Sequence, residues 1–344
     1  MDHTRTGHTD KYREGTGSVR WAIAGPGRIA DKVAADFGHV PHAHLVAVGS
    51  RSAERAGAFA DRHGIARAYG SYRELIDDEA VDAIYIATPH PQHHAIALAA
   101  IRAGKAVLVE KAFTATLAGA QEVAAAAREH GVFAMEAMWT RFQPAMAQVR
   151  AWLDAGAIGE VRTVQADLGV AREFDPDDRL FAKELGGGAL LDLGVYVVSF
   201  AQWVLGNPER IEAHGRLART GVEVDAALLL GYSEGRSALL STSLHSAFPG
   251  AARVLGTEGW IDILPRFHHP TQVVLHRDGG EQPVTAQPAG GGYSHELIEV
   301  TACLRDGRTE SDIMPLEDTL QVQRILEVAA GQLGVSWQED TAVL

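Results

Sequence analysis

Hydrophobic residues follow two patterns along the first half of the chain. Short runs of consecutive apolar residues predict buried strands at 19–24, 44–48, 81–87, 106–109 and 132–135. Between these runs, apolar residues recur every three or four positions, which is the period of a helix with one buried face. Strands that alternate with helices in this way predict a parallel, doubly wound sheet.

The second half has a different pattern, in which short strands follow one another. Turn residues separate the predicted strands, which lie at 161–170, 211–216, 222–232, 237–244, 253–255, 260–264 and 272–276. Helical patterns occur at 144–155, 189–205, 294–305 and 315–332. This half therefore predicts a large, mixed and mostly antiparallel sheet with helices on one face. The predicted fold class is α/β, with domains at 18–138 and 139–344 after a disordered polar tail at 1–17.

Composition limits the classes of protein that fit this pattern. A chain of 344 residues exceeds what one hydrophobic core usually holds, which agrees with two domains. The net charge of −13 argues against a nucleic-acid partner. Cys303 is the single cysteine, so an intrachain disulfide is excluded. We find neither a run of about 18 apolar residues nor a signal peptide, so we expect no membrane span and a cytoplasmic location.

A glycine-rich turn joins the first predicted strand to the helix that follows. From Gly25 the sequence is Gly-Pro-Gly-Arg-Ile-Ala, which has the Gly-x-Gly-x-x-Ala spacing of a dinucleotide-binding turn. Gly25 allows a sharp turn, Gly27 lets the backbone approach a pyrophosphate, and Ala30 lets the helix pack against the strand. An ordinary strand-turn-helix is the alternative interpretation. The predicted cofactor contacts in this turn are Gly25, Pro26, Gly27, Arg28 and Ile29.

The residues after the second strand bear on the choice of cofactor. Folds that prefer NAD place an Asp or Glu there to bind the ribose 2′-hydroxyl, whereas this chain has Ser50, Arg51 and Ser52. A guanidinium with neighbouring hydroxyls suits a 2′-phosphate, so we predict NADP(H), bound by Ser50 and Arg51. Use of NAD(H) as well stays open. Alternatively, Arg51 is a solvated residue at the start of a helix.

The strand at 81–87 ends where a cofactor is expected, because ligands of doubly wound sheets bind at the carboxyl ends of the strands. Two histidines, His93 and His94, follow that strand. Neither has a cysteine or carboxylate nearby at metal-ligand spacing, so we predict no metal site and expect these side chains to cap or pack the next helix. The predicted cofactor contacts at this strand end are Ala87, Thr88 and Pro89.

Lys111 is a candidate catalytic residue, and Tyr196 is a polar residue on an otherwise apolar helix. Lys111 follows the strand at 106–109, where its ammonium would stabilise a developing alkoxide. A surface lysine paired with Glu110 is the alternative. Tyr196 shares a helix face with Asp192, four residues earlier. A nearby ammonium such as that of Lys111 would lower the pKa of Tyr196, although a core tyrosine bonded to a carbonyl is also consistent with the sequence.

Other polar and aromatic residues of the second half have two interpretations each. Arg172 and Arg179 lie on a predicted loop and suit a hydroxylated substrate, or are solvated loop charges. Trp260 lines the site or packs elsewhere. The histidines interpreted as isolated surface or loop residues are His245, His268 and His269.

The combined motifs resemble the glucose-fructose oxidoreductase, inositol dehydrogenase and MocA family over nearly the whole chain after the tail. The segments 135–142 and 187–196 are most similar to the branch of dimeric dihydrodiol dehydrogenases and NADP-dependent D-xylose dehydrogenases. The other segments that carry the resemblance are 24–30, 87–89 with His93, and 103–105 leading to Glu110-Lys111.

The resemblance implies roles for particular residues. Lys111 would contact substrate and nicotinamide, Tyr196 would be the acid/base, and Asp192 would orient the substrate or Lys111. The family usually has a proline where this chain has Ala112, and often an asparagine where it has Thr116. Proline usually fixes this turn, so its absence leaves the rigidity of the Lys111 loop open. We add to the cofactor contacts His93, Glu110, Lys111 and Glu136, and we predict substrate contacts from Trp139, Arg141, Arg172, Arg179, Asp192 and Trp260.

The predicted activity is that of an NADP(H)-dependent oxidoreductase. It would transfer a hydride between the nicotinamide and a secondary alcohol or carbonyl of a sugar, cyclic polyol or dihydrodiol. The resemblance also implies a homodimer or higher homo-oligomer formed through the C-terminal sheet. The alternative is a cofactor-sensing binding protein or co-regulator of the same fold, which need not keep both Lys111 and Tyr196. Both residues are present, which favours the enzyme.

Overall fold

The N-terminal part of the chain forms a six-stranded sheet in the computed structural model, which describes residues 17–344. Nearly all of the predicted disordered tail lies outside these described residues. The strands are β1 (Val19–Ala24), β2 (Ala43–Gly49), β3 (Arg67–Tyr69), β4 (Ala83–Ile86), β5 (Ala106–Glu110) and β6 (Ala134–Ala137). Every pairing is parallel and the order is β3-β2-β1-β4-β5-β6, which is that of a Rossmann sheet.

Five helices connect these strands, and hydroxyl side chains cap three of them. Ser52 accepts a hydrogen bond from the Arg55 N–H, Ser71 from Glu74, and Thr116 from Gly119. Each hydroxyl satisfies an N–H that has no partner within its helix. The helices are α1 (Arg28–Asp36), α2 (Ala53–His63), α3 (Tyr72–Asp77), α4 (His90–Arg102) and α5 (Leu117–His130).

A mixed eight-stranded sheet forms the second half. Its strands are β7 (Val161–Gly169), β8 (Arg210–Leu217), β9 (Glu223–Gly231), β10 (Ser237–Ser243), β11 (Ala252–Gly256), β12 (Gly259–Ile263), β13 (Gln272–Arg277) and β14 (Gly280–Thr285). They are ordered β14-β13-β12-β11-β7-β10-β9-β8, with β7 and β10 parallel and the other neighbours antiparallel. The helices are α6 (Pro144–Asp154), α7 (Val195–Leu205), α8 (Ser294–Arg305) and α9 (Leu316–Gln332).

Alternating burial along β9 and β10 defines two unlike faces of this sheet. Leu228, Leu230 and Leu240 point into the core, whereas Leu229 and Leu239 are about half exposed. Because side chains of a strand alternate between its faces, one face packs under the helices and the other is open in the single chain. The predicted α/β class, with a parallel and a mixed sheet, is confirmed. The domain boundary at residue 138 stays a prediction.

Three details differ from the sequence expectation. The strands β3 and β14 were missed, because β3 has only three residues and β14 is a polar edge strand that contains Pro283. The helix expected at 189–205 begins with a π turn over Leu190–Gly194. The segment 183–205 is longer and more apolar than the sequence analysis recognised, and it has the length and composition of a membrane-crossing helix. However, 83% of its most apolar stretch is buried inside the protein, as in a core helix.

Candidate functional site

A cleft of about 1140 Å³ opens at the carboxyl ends of β1, β2, β4 and β5 and extends to the start of α7. Most of the predicted site residues line it, namely Gly25, Pro26, Gly27, Arg28, Ile29, Ser50, Arg51, Ala87, Thr88, Pro89, Glu110, Lys111, Trp139, Arg172, Arg179, Asp192 and Tyr196. Ser52, which was named beside Arg51, also lines the cleft. Sequence reasoning missed other lining residues, namely Lys32, Arg55, Tyr72, His90, Gln92, Asp178 and Tyr293. The parallel topology therefore brings residues from distant parts of the chain to one edge.

The turn after β1 has the geometry that a pyrophosphate requires. Gly25 has a φ of +94°, and a Cβ there would lie 2.8 Å from the Thr88 side chain. A Cβ on Gly27 would meet nothing within 4 Å, so this position faces open space in the cleft. Gly27 begins α1 without a side-chain cap, which leaves the first N–H groups of the helix available to an anion. These residues fit a dinucleotide.

Two arginines lie at the end of the cleft beyond β2. Arg51 follows Ser50 there, and Arg55 lies one turn into α2. Burial raises the pKa of Tyr72, and the positive charges of Arg51 and Arg55 partly offset that rise. Both guanidinium groups therefore lie near the Tyr72 ring, which also lines the cleft. The Ser52 hydroxyl already accepts the Arg55 N–H. Arg55 was not predicted because it falls inside a regular amphipathic helix, where an arginine gives no sequence signal.

Lys111 lies at the opposite end of the cleft. Its ammonium donates to the Asp192 carbonyl oxygen at 2.7 Å and lies 3.7 Å from the carboxylate of the same residue. It also lies 4.7 Å from the centroid of the Tyr196 ring. The lysine is mostly buried and makes no ion pair with Glu110 among the described residues, so the geometry disfavours the surface-lysine alternative.

A buried glutamate positions the turn that carries Asp192. Gly188 has a φ of +122°, and a Cβ there would collide with the Glu223 carboxylate. Glu223 accepts the Leu190 N–H at 2.8 Å at the start of the π turn.

Arg179 donates to the Asp192 carboxylate at 3.1 Å. Burial opposes ionisation of Asp192, but the Lys111 and Arg179 cations lower its pKa below the ordinary value. Asp192 is therefore a carboxylate acceptor.

The structure corrects the expected effect of Lys111 on Tyr196. Burial, followed by the negative charge of Glu110, raises the pKa of Tyr196 well above its usual value. The ammonium of Lys111 lies over the ring, and it does not reverse these effects. Tyr196 is thus a phenol at neutral pH, which suits a proton donor.

Acidic residues form the floor beneath Lys111. The Tyr85 hydroxyl and the Lys111 backbone N–H both donate to the Glu110 carboxylate. Behind it, Glu296 is buried, and neither of its carboxylate oxygens has a partner among the described residues. Burial, followed by the charges of Glu110 and Asp36, raises the pKa of Glu296 well above its usual value. Burial raises the pKa of Glu110 as well, and the Lys111 ammonium opposes that rise.

The Lys111 loop is held without the family proline. His93 lies between two carbonyl oxygens, 2.8 Å from that of Thr88 and 3.0 Å from that of Ala112. Glu136 accepts the Phe113 N–H at 3.1 Å. Neither His93 nor Glu136 lines the cleft, so their prediction as direct cofactor contacts is not supported by the geometry. Both hold the loops that do line it.

Two predicted substrate contacts lie outside the cleft. Arg141 is buried and bonds to Asp318 and Gln202, so it ties α7 to α9. Trp260 lies on the exposed face of the mixed sheet, stacked on His276 with ring centroids 4.6 Å apart. Their sequence neighbourhoods gave no sign of these distant partners.

An aromatic wall borders the cleft beside Tyr196. Trp139 stacks on Tyr293 at 4.4 Å and on His269 at 4.6 Å. His268 lies 5.3 Å from the Tyr196 ring, and burial lowers the pKa of His268 to about 3. The two histidines were expected to be isolated surface or loop residues. Both lie in the loop after β12, but they are not isolated, because their rings contact Trp139 and Tyr196. Trp139 and Tyr293 line the same cleft as Lys111 and Asp192, and an aromatic surface there suits one face of a cyclic compound.

Comparison with known proteins bears on the kind of protein that has this cleft. The family model of an oxidoreductase family with an NAD-binding Rossmann fold, GFO_IDH_MocA, matches residues 19–138. The GFO/IDH/MocA C-terminal domain matches residues 146–262. A trans-1,2-dihydrobenzene-1,2-diol dehydrogenase of Xenopus tropicalis is 38% identical over 332 residues, which cover 93% of this chain and 99% of the relative. The chain belongs to the GFO/IDH/MocA oxidoreductase family.

Other relatives of this GFO/IDH/MocA oxidoreductase agree. The human trans-1,2-dihydrobenzene-1,2-diol dehydrogenase is 36% identical and covers 94% of this chain and 99% of its own. KijD10, a 3-ketoreductase from Actinomadura kijaniata solved with NADP and TDP-benzene, has a TM-score of 0.82 and 27% identity over 94% of this chain and all of that one. The resemblance stated from the motifs is confirmed, as is an oxidoreductase that binds a nicotinamide cofactor.

Proposed function

We propose that this oxidoreductase interconverts a secondary alcohol and a carbonyl on a sugar, cyclic polyol or dihydrodiol, with NADP(H) preferred over NAD(H). The observation that carries the proposal is the convergence of Lys111, Asp192 and Tyr196 at one end of a cleft whose other end carries the Gly25–Gly27 turn. A cofactor that spans the cleft would thus present its reactive end to these three side chains.

Each of these side chains has a role that follows from its surroundings. A bound nicotinamide supplies or takes the hydride. Tyr196, a phenol at neutral pH, donates the proton in the reducing direction and accepts it in the oxidising direction. Lys111 donates to the substrate oxygen and stabilises the charge that develops on it. Asp192 keeps the ammonium in place and accepts from a substrate hydroxyl.

The proposed substrate class follows from two kinds of side chain that line the cleft. Trp139 and Tyr293 offer a flat apolar surface, while Lys111, Asp192 and Arg179 supply charged donors and an acceptor. A ring with hydroxyl groups fits both surfaces, as sugars and dihydrodiols do. The names of relatives, which include diol dehydrogenases, a 3-ketoreductase and an aldose-aldose oxidoreductase, support the same class.

The cofactor preference gives the first test. With Arg51 and Arg55 near the expected 2′-phosphate and no carboxylate among the lining residues there, we expect NADPH to bind more tightly than NADH. Each of R51A and R55A should weaken NADPH about 10- to 100-fold, as expected for loss of a charged hydrogen bond, and leave NADH almost unchanged. Titration followed by nicotinamide fluorescence measures both affinities.

Arg62 offers a matched control for this titration. It lies on the same helix, α2, but pairs with Asp31 and does not line the cleft. R62A should therefore leave both affinities as in the wild type. Tighter NADH binding in the wild type would contradict the NADP preference. Binding of both cofactors without turnover of any alcohol or carbonyl would favour the cofactor-sensing alternative.

The pH dependence should differ between the two directions. Oxidation needs the Tyr196 phenolate, and burial with Glu110 raises its pKa, so the oxidation rate should still rise through about pH 10. Reduction needs the phenol and should be flat across the neutral range. E110Q removes a nearby negative charge, lowers the pKa of Tyr196 and should move the rise of oxidation to lower pH. Profiles of kcat against pH in both directions test this prediction. It is contradicted if the rise of the oxidation rate in E110Q stays at the pH of the wild type or moves to higher pH.

We further propose that the open face of the mixed sheet joins two copies of the chain. The exposed apolar residues on β9, β10 and β12, namely Leu229, Leu239 and Trp260, support a homodimer or higher homo-oligomer. The net charge of −13 disfavours nucleic acid as a partner, and we place the protein in the cytoplasm.

A further inference from the structure

His90 is a buried histidine of the cleft to which the proposed reaction gives no role. It is the first residue of α4 and lines the cleft together with Lys111, Asp192 and Arg179. Only 4% of its surface is exposed. Its position at the cleft raises the question of what its ring offers to a ligand.

The hydrogen bond of His90 determines which ring nitrogen carries the proton. Nδ1 lies 3.1 Å from the carbonyl oxygen of Gly186. A carbonyl oxygen only accepts, so Nδ1 must carry the hydrogen and donate it. In the neutral ring, Nε2 then has a free lone pair and acts as an acceptor.

The ring is neutral and its acceptor faces the cleft. Burial, then the nearby His93, Arg179 and Lys111, lowers the pKa of His90 to about 3. Within residues 17–344 no group donates to Nε2, and His90 lines the cleft, so this nitrogen is available to a ligand there. The edge-on contact with the His93 ring, with centroids 5.8 Å apart, fixes the ring orientation.

The neighbours of His90 leave this acceptor a distinct task. Lys111 and Arg179 are donors, and the Asp192 carboxylate lies beside both of them. One oxygen of Asp192 already accepts from Arg179 at 3.1 Å and lies 3.7 Å from the Lys111 ammonium. Nε2 of His90 is a neutral acceptor beside these charged groups, and it is available to a second hydroxyl of a substrate whose first hydroxyl reacts at Tyr196.

We propose that Nε2 of His90 accepts a hydrogen bond from the hydroxyl next to the reacting carbon and so selects vicinal diols and α-hydroxy carbonyls over simple alcohols. The inference rests on the proposed function, in which Tyr196 and Lys111 hold the reacting oxygen. It names His90 as a residue that determines specificity and gives it no part in proton transfer.

The test compares kcat/KM for two probes, trans-cyclohexane-1,2-diol and cyclohexanol, with NADP as oxidant. H90L should lower the value for the diol about tenfold, as expected for one lost hydrogen bond, and leave that for the mono-alcohol almost unchanged. H90Q keeps an amide oxygen near the position of Nε2 and should recover part of the preference. H94L is the matched control, because His94 lies on the same helix and bonds to Glu122 outside the cleft.

The outcomes separate this inference from the function on which it rests. Equal losses on diol and mono-alcohol in H90L would overturn the specificity role and leave the oxidoreductase activity standing. Failure of the wild type to oxidise either probe or any sugar, with NADPH still bound, would instead overturn the proposed function and the inference with it. Thermal unfolding and NADPH fluorescence check folding. If H90L does not fold, an unchanged diol preference in His90→Asn, whose shorter amide does not reach the position of Nε2, would overturn the role.

Discussion

Replacing Tyr196 by phenylalanine is expected to lower turnover about 10²- to 10⁴-fold in both directions, which is the usual contribution of one general acid–base group. The change removes only the hydroxyl oxygen. The ring would keep its contact with His268 and its place beneath the Lys111 ammonium, so the cleft should keep its shape. Cofactor affinity should therefore be almost unchanged. Steady-state kinetics in both directions, together with NADPH fluorescence titration, measure these effects.

Tyr232 provides the matched control for Y196F. It is also a buried tyrosine, but it lies at the end of β9 and does not line the cleft. Y232F should therefore turn over at the rate of the wild type. Turnover of Y196F within a few-fold of the wild type would show that the proton comes from another group, and the role proposed for Tyr196 would then be abandoned.

Replacing Lys111 by methionine is expected to lower turnover about 10²- to 10³-fold, as does removal of one donor that stabilises a developing oxyanion. Methionine has a similar length and no charge. The loss should fall mainly on kcat, because the ammonium is needed most where negative charge develops on the substrate oxygen. NADPH should still bind, since the Gly25–Gly27 turn and the Arg51 end of the cleft are unchanged.

A second lysine separates the effect of position from the effect of charge. Lys183 is exposed, and it does not line the cleft. K183M should therefore have normal kcat and KM. If K111M raised KM alone, Lys111 would serve substrate binding without stabilising the transition state, and the proposed role would be wrong.

The fold could be predicted from the sequence where burial alone shapes it. Buried parallel strands are continuous apolar runs, so β1 and β5 were found to within one residue. The edge strand β14 contains Glu281 and Pro283 and has no apolar run. It forms by pairing with β13, and no pattern within its own sequence indicates that pairing. The π turn over Leu190–Gly194 is likewise held by a residue distant in the sequence. Glu223, the first residue of β9, accepts the Leu190 N–H.

The site could be predicted where one motif carries it, as in the Gly25–Gly27 turn and Lys111. It could not be predicted where the role of a residue depends on a partner that is distant in the sequence. Arg141 looks like a site residue in its motif, yet Asp318, 177 positions away, holds it in the core. His90 lies beside a conspicuous histidine pair, and only its contact with Gly186 shows which of its nitrogens faces the cleft.

The ion cluster of Lys111, Asp192 and Arg179 is assembled before a ligand arrives. Withdrawing these charges from water costs free energy during folding. A substrate then meets groups that are already oriented and partly dehydrated, so its arrival requires little rearrangement of the protein. These three residues therefore lower the thermal stability of the protein while they prepare the cleft for reaction. Apolar replacements of all three would raise the unfolding temperature and abolish the activity.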